Sequence, residues 1–82
     1  MNRETADKLV RRLVNRIAPE ADLDALDPRL DMREALDLDS MDMLRLATSV
    51  QEATGLEVPE RDYIQLATFQ GCVDYLTQRS AS

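Results

Sequence analysis

The sequence contains no histidine and no tryptophan, only one cysteine, and only three aromatic residues. The lack of histidine excludes Ser-His and Cys-His nucleophile pairs, imidazole metal ligands and the commonest general base. The single Cys72 cannot form an internal disulfide, which is typical of a reducing compartment, so we expect a cytoplasmic protein. No apolar run approaches the roughly 20 residues of a membrane span, and the charged start of the chain is not typical of a signal peptide.

A chain of 82 residues has room for one small core, so we expect a single domain over residues 1–82. So small a helical chain leaves little space for a ligand pocket of the usual volume. A hydrolase that uses only carboxylates is a possible alternative, but no paired carboxylate geometry supports it. The composition therefore predicts a protein that is not an enzyme. We also expect a monomer.

The net charge of −6 is unevenly distributed along the chain. Residues 1–18 hold five basic and two acidic residues, whereas residues 31–60 hold two basic and eight acidic ones. An acidic surface is unsuited to nucleic acid and better matched by a basic patch on a partner protein. Because the basic first segment also carries acids, we expect its charges to form a solvated face.

The spacing of apolar residues predicts an all-α fold, a small four-helix bundle with a short third helix. The expected helices cover about residues 3–18, 40–54, 59–66 and 68–79, and a long loop covers residues 19–39. Asn2 or Thr5 is expected to cap the first helix, and Thr68 the fourth.

The long loop is expected to be ordered, because leucines recur through it. A short helical turn near Asp31–Leu36, capped by Asp31, is predicted within it. Asp22, Asp24 and Asp27 suggest a calcium site, but their spacing lacks the glycine and distal glutamate of an EF-hand. We therefore favour solvated loop acids and predict no metal.

The predicted second helix is expected to bury Leu44, Ala47 and Val50, with help from Leu46. Its outer face carries Asp42, Arg45, Ser49 and Glu52. Core packing is also favoured for Met41, although an exposed Met41 or Met43 would suit adaptable apolar contacts. Gly55 is expected to end the helix as its C-cap.

The last two helices have short apolar patterns. Tyr63, Ile64 and Leu66 are the apolar residues of the predicted third helix, and Phe69, Cys72, Val73 and Leu76 form the stripe of the fourth. Cys72 is therefore expected to be a core thiol. Gly71 inside a helix indicates close backbone packing, since glycine there costs about 1 kcal/mol.

The segment Leu36–Asp42 joins the acidic loop to the second helix. Asp39 and Ser40 are strong N-cap residues, and Asp42 would lie in the first turn, where a negative charge suits the helix dipole. The Ser40 hydroxyl would therefore lie beside unpaired backbone N–H groups, where a phosphate binds readily. Asp-Ser at a helix start is also ordinary capping chemistry, so the motif alone does not decide the function.

Asp39-Ser40-Met41-Asp42, between this loop and this helix, resembles the phosphopantetheine attachment motif of acyl carrier proteins, usually Asp-Ser-Leu. Val58-Pro59-Glu60 resembles the family's Ile-Pro-Asp/Glu, and Asp74-Tyr75-Leu76 resembles its Asp-Tyr-Ile/Leu. The resemblance covers nearly the whole chain, from the first helix to about Arg79.

The resemblance implies a carrier with the fold of that family and 4′-phosphopantetheine on Ser40, flanked by the motif residues Asp39 and Met41. A phosphopantetheinyl transferase would attach the arm, whose thiol would hold an acyl group as a thioester. Further partners would be a loading ligase for acyl or aminoacyl groups and downstream transferases or synthases. Fatty-acid, polyketide or specialised lipid biosynthesis would be the setting.

Family carriers use the second helix as an acidic recognition face, here represented by Asp42, Arg45 and Glu52. Arg45 stands where fatty-acid carriers usually have an acid, so we expect a specialised stand-alone carrier. An aminoacyl or peptidyl carrier is a second interpretation, although the Gly-Gly-x-Ser typical of peptidyl carriers is absent. A third is a helical interaction module that never receives the arm.

Overall fold

The computed structural model describes residues 1–79, and the regular structure in that range is helical. The elements are α1 (Arg3–Ile17), α2 (Met32–Ala35), α3 (Ser40–Thr54), a 3-10 helix (Glu60–Leu66) and α4 (Phe69–Arg79). This is the expected all-α bundle, with a long connection before α3 and a short helix before α4. Residues 80–82 of the predicted domain lie outside the described range. No helix within residues 1–79 has the length and hydropathy to cross a bilayer.

One hydrophobic core joins the three long helices and the 3-10 helix. α1 packs on α3 and α4, and the 3-10 helix packs on the same two helices. The largest fully buried side chains are Tyr75, Leu13, Met32, Leu46, Leu66, Leu76, Val10, Val14, Val50 and Cys72. Because every element contributes to this set, the position of each helix depends on the others.

Asn2, and not Thr5, caps α1. The Asn2 side chain accepts a hydrogen bond of 2.8 Å from the Thr5 backbone N–H. The helix ends at Ile17, and Ala18 donates its N–H to the Val14 carbonyl just before Pro19. Proline cannot continue a helix, so the chain turns into the long connection here.

The long connection is attached to the start of α4 through its backbone. The Met32 N–H donates to the Ala67 carbonyl at 2.7 Å, and the Gln70 N–H donates to the Pro28 carbonyl at 2.9 Å. Met32 is also fully buried, at the start of the short helix α2. These contacts order the connection and fix the direction from which the chain reaches α3.

The three loop aspartates bond to nearby residues of the protein. Arg11 donates to Asp24 at 2.8 Å, and the Asp22 side chain accepts from the Asp24 N–H at 3.2 Å. The Arg29 backbone N–H donates to Asp27 at 3.0 Å and thereby lowers the pKa of the Asp27 carboxyl. Within residues 1–79, no three His, Cys, Asp or Glu side chains are grouped so that they could hold a metal ion.

Gly71 occupies a position in α4 that has no space for a side chain. A Cβ atom there would overlap the Gln65 carbonyl oxygen and come within 2.8 Å of Thr68 Oγ1. Thr68 caps α4, since its Oγ1 accepts a hydrogen bond of 2.9 Å from the Gly71 N–H. Close packing between the 3-10 helix and α4 therefore requires glycine at this position.

The 3-10 helix differs from the apolar pattern predicted for it. Ile64 is 75% exposed, whereas Leu66 is buried as expected. The residue that enters the core beside Leu66 is Asp62, which is only 4% exposed. Its carboxylate accepts hydrogen bonds from the Tyr75 hydroxyl at 2.8 Å and from the Arg79 guanidinium at 3.2 Å. A buried carboxylate needs such donors, so Asp62 joins the 3-10 helix to α4.

We expect Tyr75→Phe to lower the free energy of unfolding by about 1–3 kcal/mol, because it removes a donor from a buried charged acceptor. Urea denaturation would measure the loss. Tyr63→Phe is the matched control, since Tyr63 is half-buried and its hydroxyl forms no hydrogen bond in the described part of the chain. Equal stability of the two variants would contradict a structural role for the Asp62–Tyr75 bond.

Candidate functional site

Two reciprocal hydrogen bonds determine where α3 begins. The Asp42 N–H donates to Asp39 Oδ1 at 2.9 Å, and the Asp39 N–H donates to Asp42 Oδ2 at 3.2 Å. This is a capping box, in which the N-cap and the third helical residue bond to each other's backbone. Asp39 is therefore the N-cap and Ser40 the first residue of the helix.

Ser40 lies exposed at the positive end of this helix of 15 residues. The capping box uses the Asp42 N–H, and the Met43 N–H donates to the Asp39 carbonyl at 3.1 Å. The N–H groups of Ser40 and Met41 precede the first intrahelical bond and have no acceptor within the helix. The Ser40 hydroxyl thus lies beside two backbone donors and a helix dipole, both of which favour an anion at this position.

The other hydroxyl groups of α3 are less available. Thr48 and Thr54 donate to the carbonyls of Leu44 and Val50, at 2.9 and 2.6 Å. Ser49 is half-buried in the middle of the helix. Within residues 1–79 the Ser40 hydroxyl has no hydrogen-bond partner in the protein. Ser40 therefore carries the one exposed hydroxyl on α3 that forms no hydrogen bond.

The backbone immediately before α3 contains a feature that the sequence pattern did not reveal. Asp37 has a φ of 55°, in the left-handed region, which aspartate tolerates better than most residues. The turn directs Leu38 inward, where it is 9% exposed, and the Leu38 N–H donates to the Arg33 carbonyl at 3.0 Å. Burial of Leu38 holds the residue pair Asp39–Ser40 at the surface.

The inward face of α3 is displaced from the predicted one. Leu44 was expected in the core but is 43% exposed, and Met41, for which core packing was favoured, is 56% exposed. Met43 is buried instead, together with the predicted Leu46, Ala47 and Val50. The predicted set began one residue too late for its first turn, because leucine and methionine are equally apolar there. Met41 and Leu44 consequently form an apolar surface next to Ser40.

The predicted recognition residues of α3 have different surroundings. Asp42 is largely occupied by the capping box, and Arg45 Nη1 lies 3.8 Å from its carboxylate. Arg45 and Glu52 line the same surface groove, two turns apart. Arg45 therefore lies close to Asp42 alone, and the three residues do not form one acidic patch.

Cys72 is buried in the core as expected, and its Sγ lies 3.3 Å from the Leu66 carbonyl oxygen. Burial raises the pKa of the thiol to about 12. The thiolate is the reactive form of cysteine, so this side chain is chemically inert in the folded protein.

Comparison with known proteins agrees with this geometry. The family model described as "phosphopantetheine attachment site" matches residues 8–76. An acyl carrier protein of Rubrobacter xylanophilus is 31% identical over 55 residues, which cover 67% of this chain and 68% of that protein. An acyl carrier protein of Syntrophobacter fumaroxidans is 27% identical over 75 residues, which cover 92% and 90% of the two chains. The chain therefore belongs to the acyl carrier protein family, whose members are carriers and not enzymes and hold a covalently attached 4′-phosphopantetheine.

Proposed function

We propose that the arm is attached to Ser40 and that the protein carries acyl intermediates as thioesters in fatty-acid, polyketide or specialised lipid biosynthesis. The observation that carries this proposal is the exposed, unbonded Ser40 hydroxyl at the start of α3. Only two serines, Ser40 and Ser49, lie within the segment matched by the family model. Ser49 is half-buried in the middle of a helix, so Ser40 is much the better acceptor.

The residues around Ser40 fit a phosphodiester, although they include two acids. The carboxylates of Asp39 and Asp42 are each bonded to a backbone N–H in the capping box, which offsets part of their charge. The dipole of α3 favours an anion at the same end. Asp39 would act by fixing the helix start, and the exposed Met41 would provide an apolar contact for the transferase that attaches the arm.

Attachment requires little of this chain beyond an accessible hydroxyl. The Ser40 oxygen would lose its proton and form a bond to the phosphorus of the phosphopantetheinyl group of coenzyme A, with activation supplied by the transferase. The pyrophosphate P–O bond of coenzyme A would break, and adenosine 3′,5′-bisphosphate would leave with the bridging oxygen. When bound, the arm would supply a terminal thiol that accepts an acyl group from a loading enzyme. Downstream transferases or synthases would be the further partners.

Incubation with coenzyme A, magnesium and a promiscuous phosphopantetheinyl transferase should add one phosphopantetheine to the parent protein and none to Ser40→Ala. Intact mass measurement would detect the addition. Ser49→Ala is the matched control and should be modified like the parent, because its hydroxyl is not required.

Circular dichroism on both variants would verify that they are folded. Modification of Ser40→Ala would contradict the assigned site. Failure of the folded parent to gain mass would instead favour an unmodified interaction module.

The arm should also introduce the only thiol that reacts in the native protein. With Cys72 buried and its pKa near 12, the unmodified folded protein should give almost no reaction with a disulfide reagent at neutral pH. The modified protein should give one reactive thiol when folded and two in denaturant. A reactive thiol in the unmodified, folded protein would contradict the inert role of Cys72. A buried, unpaired cysteine is also compatible with the proposed cytoplasmic location.

We further propose that the carrier serves a dedicated pathway, because Arg45 places a positive charge on the outer face of α3. The Arg45 side chain is 68% exposed and can contact a partner directly. Basic docking surfaces typical of partners of fatty-acid carriers would be repelled by it.

Arg45→Glu should therefore increase the rate of acyl loading by an enzyme of fatty-acid synthesis and weaken loading by the protein's own partner. Each effect should be about two- to fivefold, as expected for an exposed charge pair. Rates of acyl transfer to the modified protein would measure them. Arg29→Glu makes the same charge change in the loop and should leave both rates unchanged. Identical kinetics of parent and Arg45→Glu would contradict the proposal.

A further inference from the structure

A groove runs along the junction between α1 and α3, with a charge opposite to that of the chain as a whole. Its two sections have volumes of ≈ 280 and ≈ 360 Å³ and follow one another along both helices. The lining residues include four basic side chains and one acidic one, whereas the whole chain has 10 basic and 16 acidic residues. We call this surface the α1–α3 groove; its basic residues are Lys8, Arg12, Arg16 and Arg45.

Two of these bases are not neutralised by the protein itself. Arg12 and Arg16 are exposed and form no ion pair within residues 1–79. Lys8 Nζ lies 3.4 Å from Glu4 Oε1, and Arg45 Nη1 lies 3.8 Å from Asp42 Oδ1. Exposed pairs at such distances are weak and leave both bases available to a partner.

The regular spacing of the bases explains why they share one surface. Lys8, Arg12 and Arg16 are each four residues apart, so they lie on one face of α1. Arg45 faces Arg16 across the groove from α3. The sequence alone suggested a solvated face for α1, because it could not show that a base of α3 lies beside these residues.

Apolar side chains form part of the same groove. Leu9 and Ile17 from α1 are only partly buried, and Leu44 from α3 is 43% exposed. An apolar floor flanked by bases is typical of a surface that receives an apolar anchor surrounded by carboxylates.

We propose that the α1–α3 groove binds a protein partner that presents acidic residues around an apolar side chain. Charge complementarity selects this occupant, because all four bases of the groove are available to an acidic surface. Nucleic acid is a poorer occupant, because the net charge of −6 on the whole chain would repel an extended polyanion.

The position of the groove connects this surface to the arm, and this step rests on the proposed attachment at Ser40. Ser40 and Leu44 are four residues apart on α3 and therefore share a face. A partner bound in the groove would have one edge next to Ser40. Enzymes that act on the arm and recognise this carrier would thus present carboxylates, in contrast to the basic patches expected from the net charge alone.

The test uses the unmodified protein and a short helical peptide with glutamates on one face and leucines on the other. In an NMR titration, the amide resonances of α1 and of Leu44–Ala53 should shift, and high salt should weaken the binding. Arg12→Gln/Arg16→Gln, which keeps helix-forming side chains, should weaken it about five- to tenfold. Arg29→Gln/Arg33→Gln is the matched control and should bind like the parent.

Several results would overturn the proposal. One is that the double variant at Arg12 and Arg16 binds the peptide as tightly as the parent does. Another is that the acidic peptide shifts resonances outside the groove, or shifts no resonances at all. A third is that the same peptide with lysines in place of glutamates shifts the groove resonances as much as the acidic peptide does. Groove resonances that move when the protein alone is diluted would assign the surface to a second copy of the chain. Because no arm is present in the titration, these results are independent of whether Ser40 can be modified.

Discussion

The reciprocal hydrogen bonds between Asp39 and Asp42 are the interaction on which the site depends. They fix Ser40 as the first residue of α3, so that its hydroxyl lies at the surface and no longer caps the helix. Each residue along an α-helix rotates the side chain by about 100°, and a start one residue later would direct the Ser40 hydroxyl to the backbone N–H groups. A capping interaction of about 1 kcal/mol therefore decides whether the Ser40 hydroxyl caps the helix or stays exposed.

The same bonds reconcile an acidic segment with the anionic modification that we propose at Ser40. Asp39 and Asp42 would repel a phosphodiester if their carboxylates were free, but both accept backbone N–H bonds at the positive end of the helix. Leu38 precedes Ser40 in the sequence and Met43 follows it. Both side chains are buried and attach the segment to the core. Local capping and core packing thus support the same backbone position.

Most of the helix ends and their capping residues could be predicted from the sequence. Gly55 ends α3 with a φ of 73°, and Thr68 caps α4, both as their chemistry predicts. These features are local, so a few neighbouring residues determine them. The Asp39–Ser40 start of α3 was predictable for the same reason.

Features that depend on packing between distant segments could not be predicted from the sequence. Leu44 and Met43 are equally suited to a core, and only the direction of α3 against α1 decides that Met43 is buried and Leu44 exposed. Asp62 reads as a surface acid, yet Tyr75 and Arg79, more than ten residues away, supply the donors that allow its burial. The α1–α3 groove belongs to this class too, because its bases come from two helices.

This division between local and long-range determinants bears on how the carrier is recognised. The attachment proposed at Ser40 depends on a local capping motif of four residues. Arg12, Arg16 and Arg45 contribute little to the core, since all three are exposed, and so they can change without altering the fold. Stability constrains the Ser40 segment and leaves the α1–α3 groove free to vary. A carrier can therefore retain the common chemistry of the arm while its groove adapts to a particular set of partners.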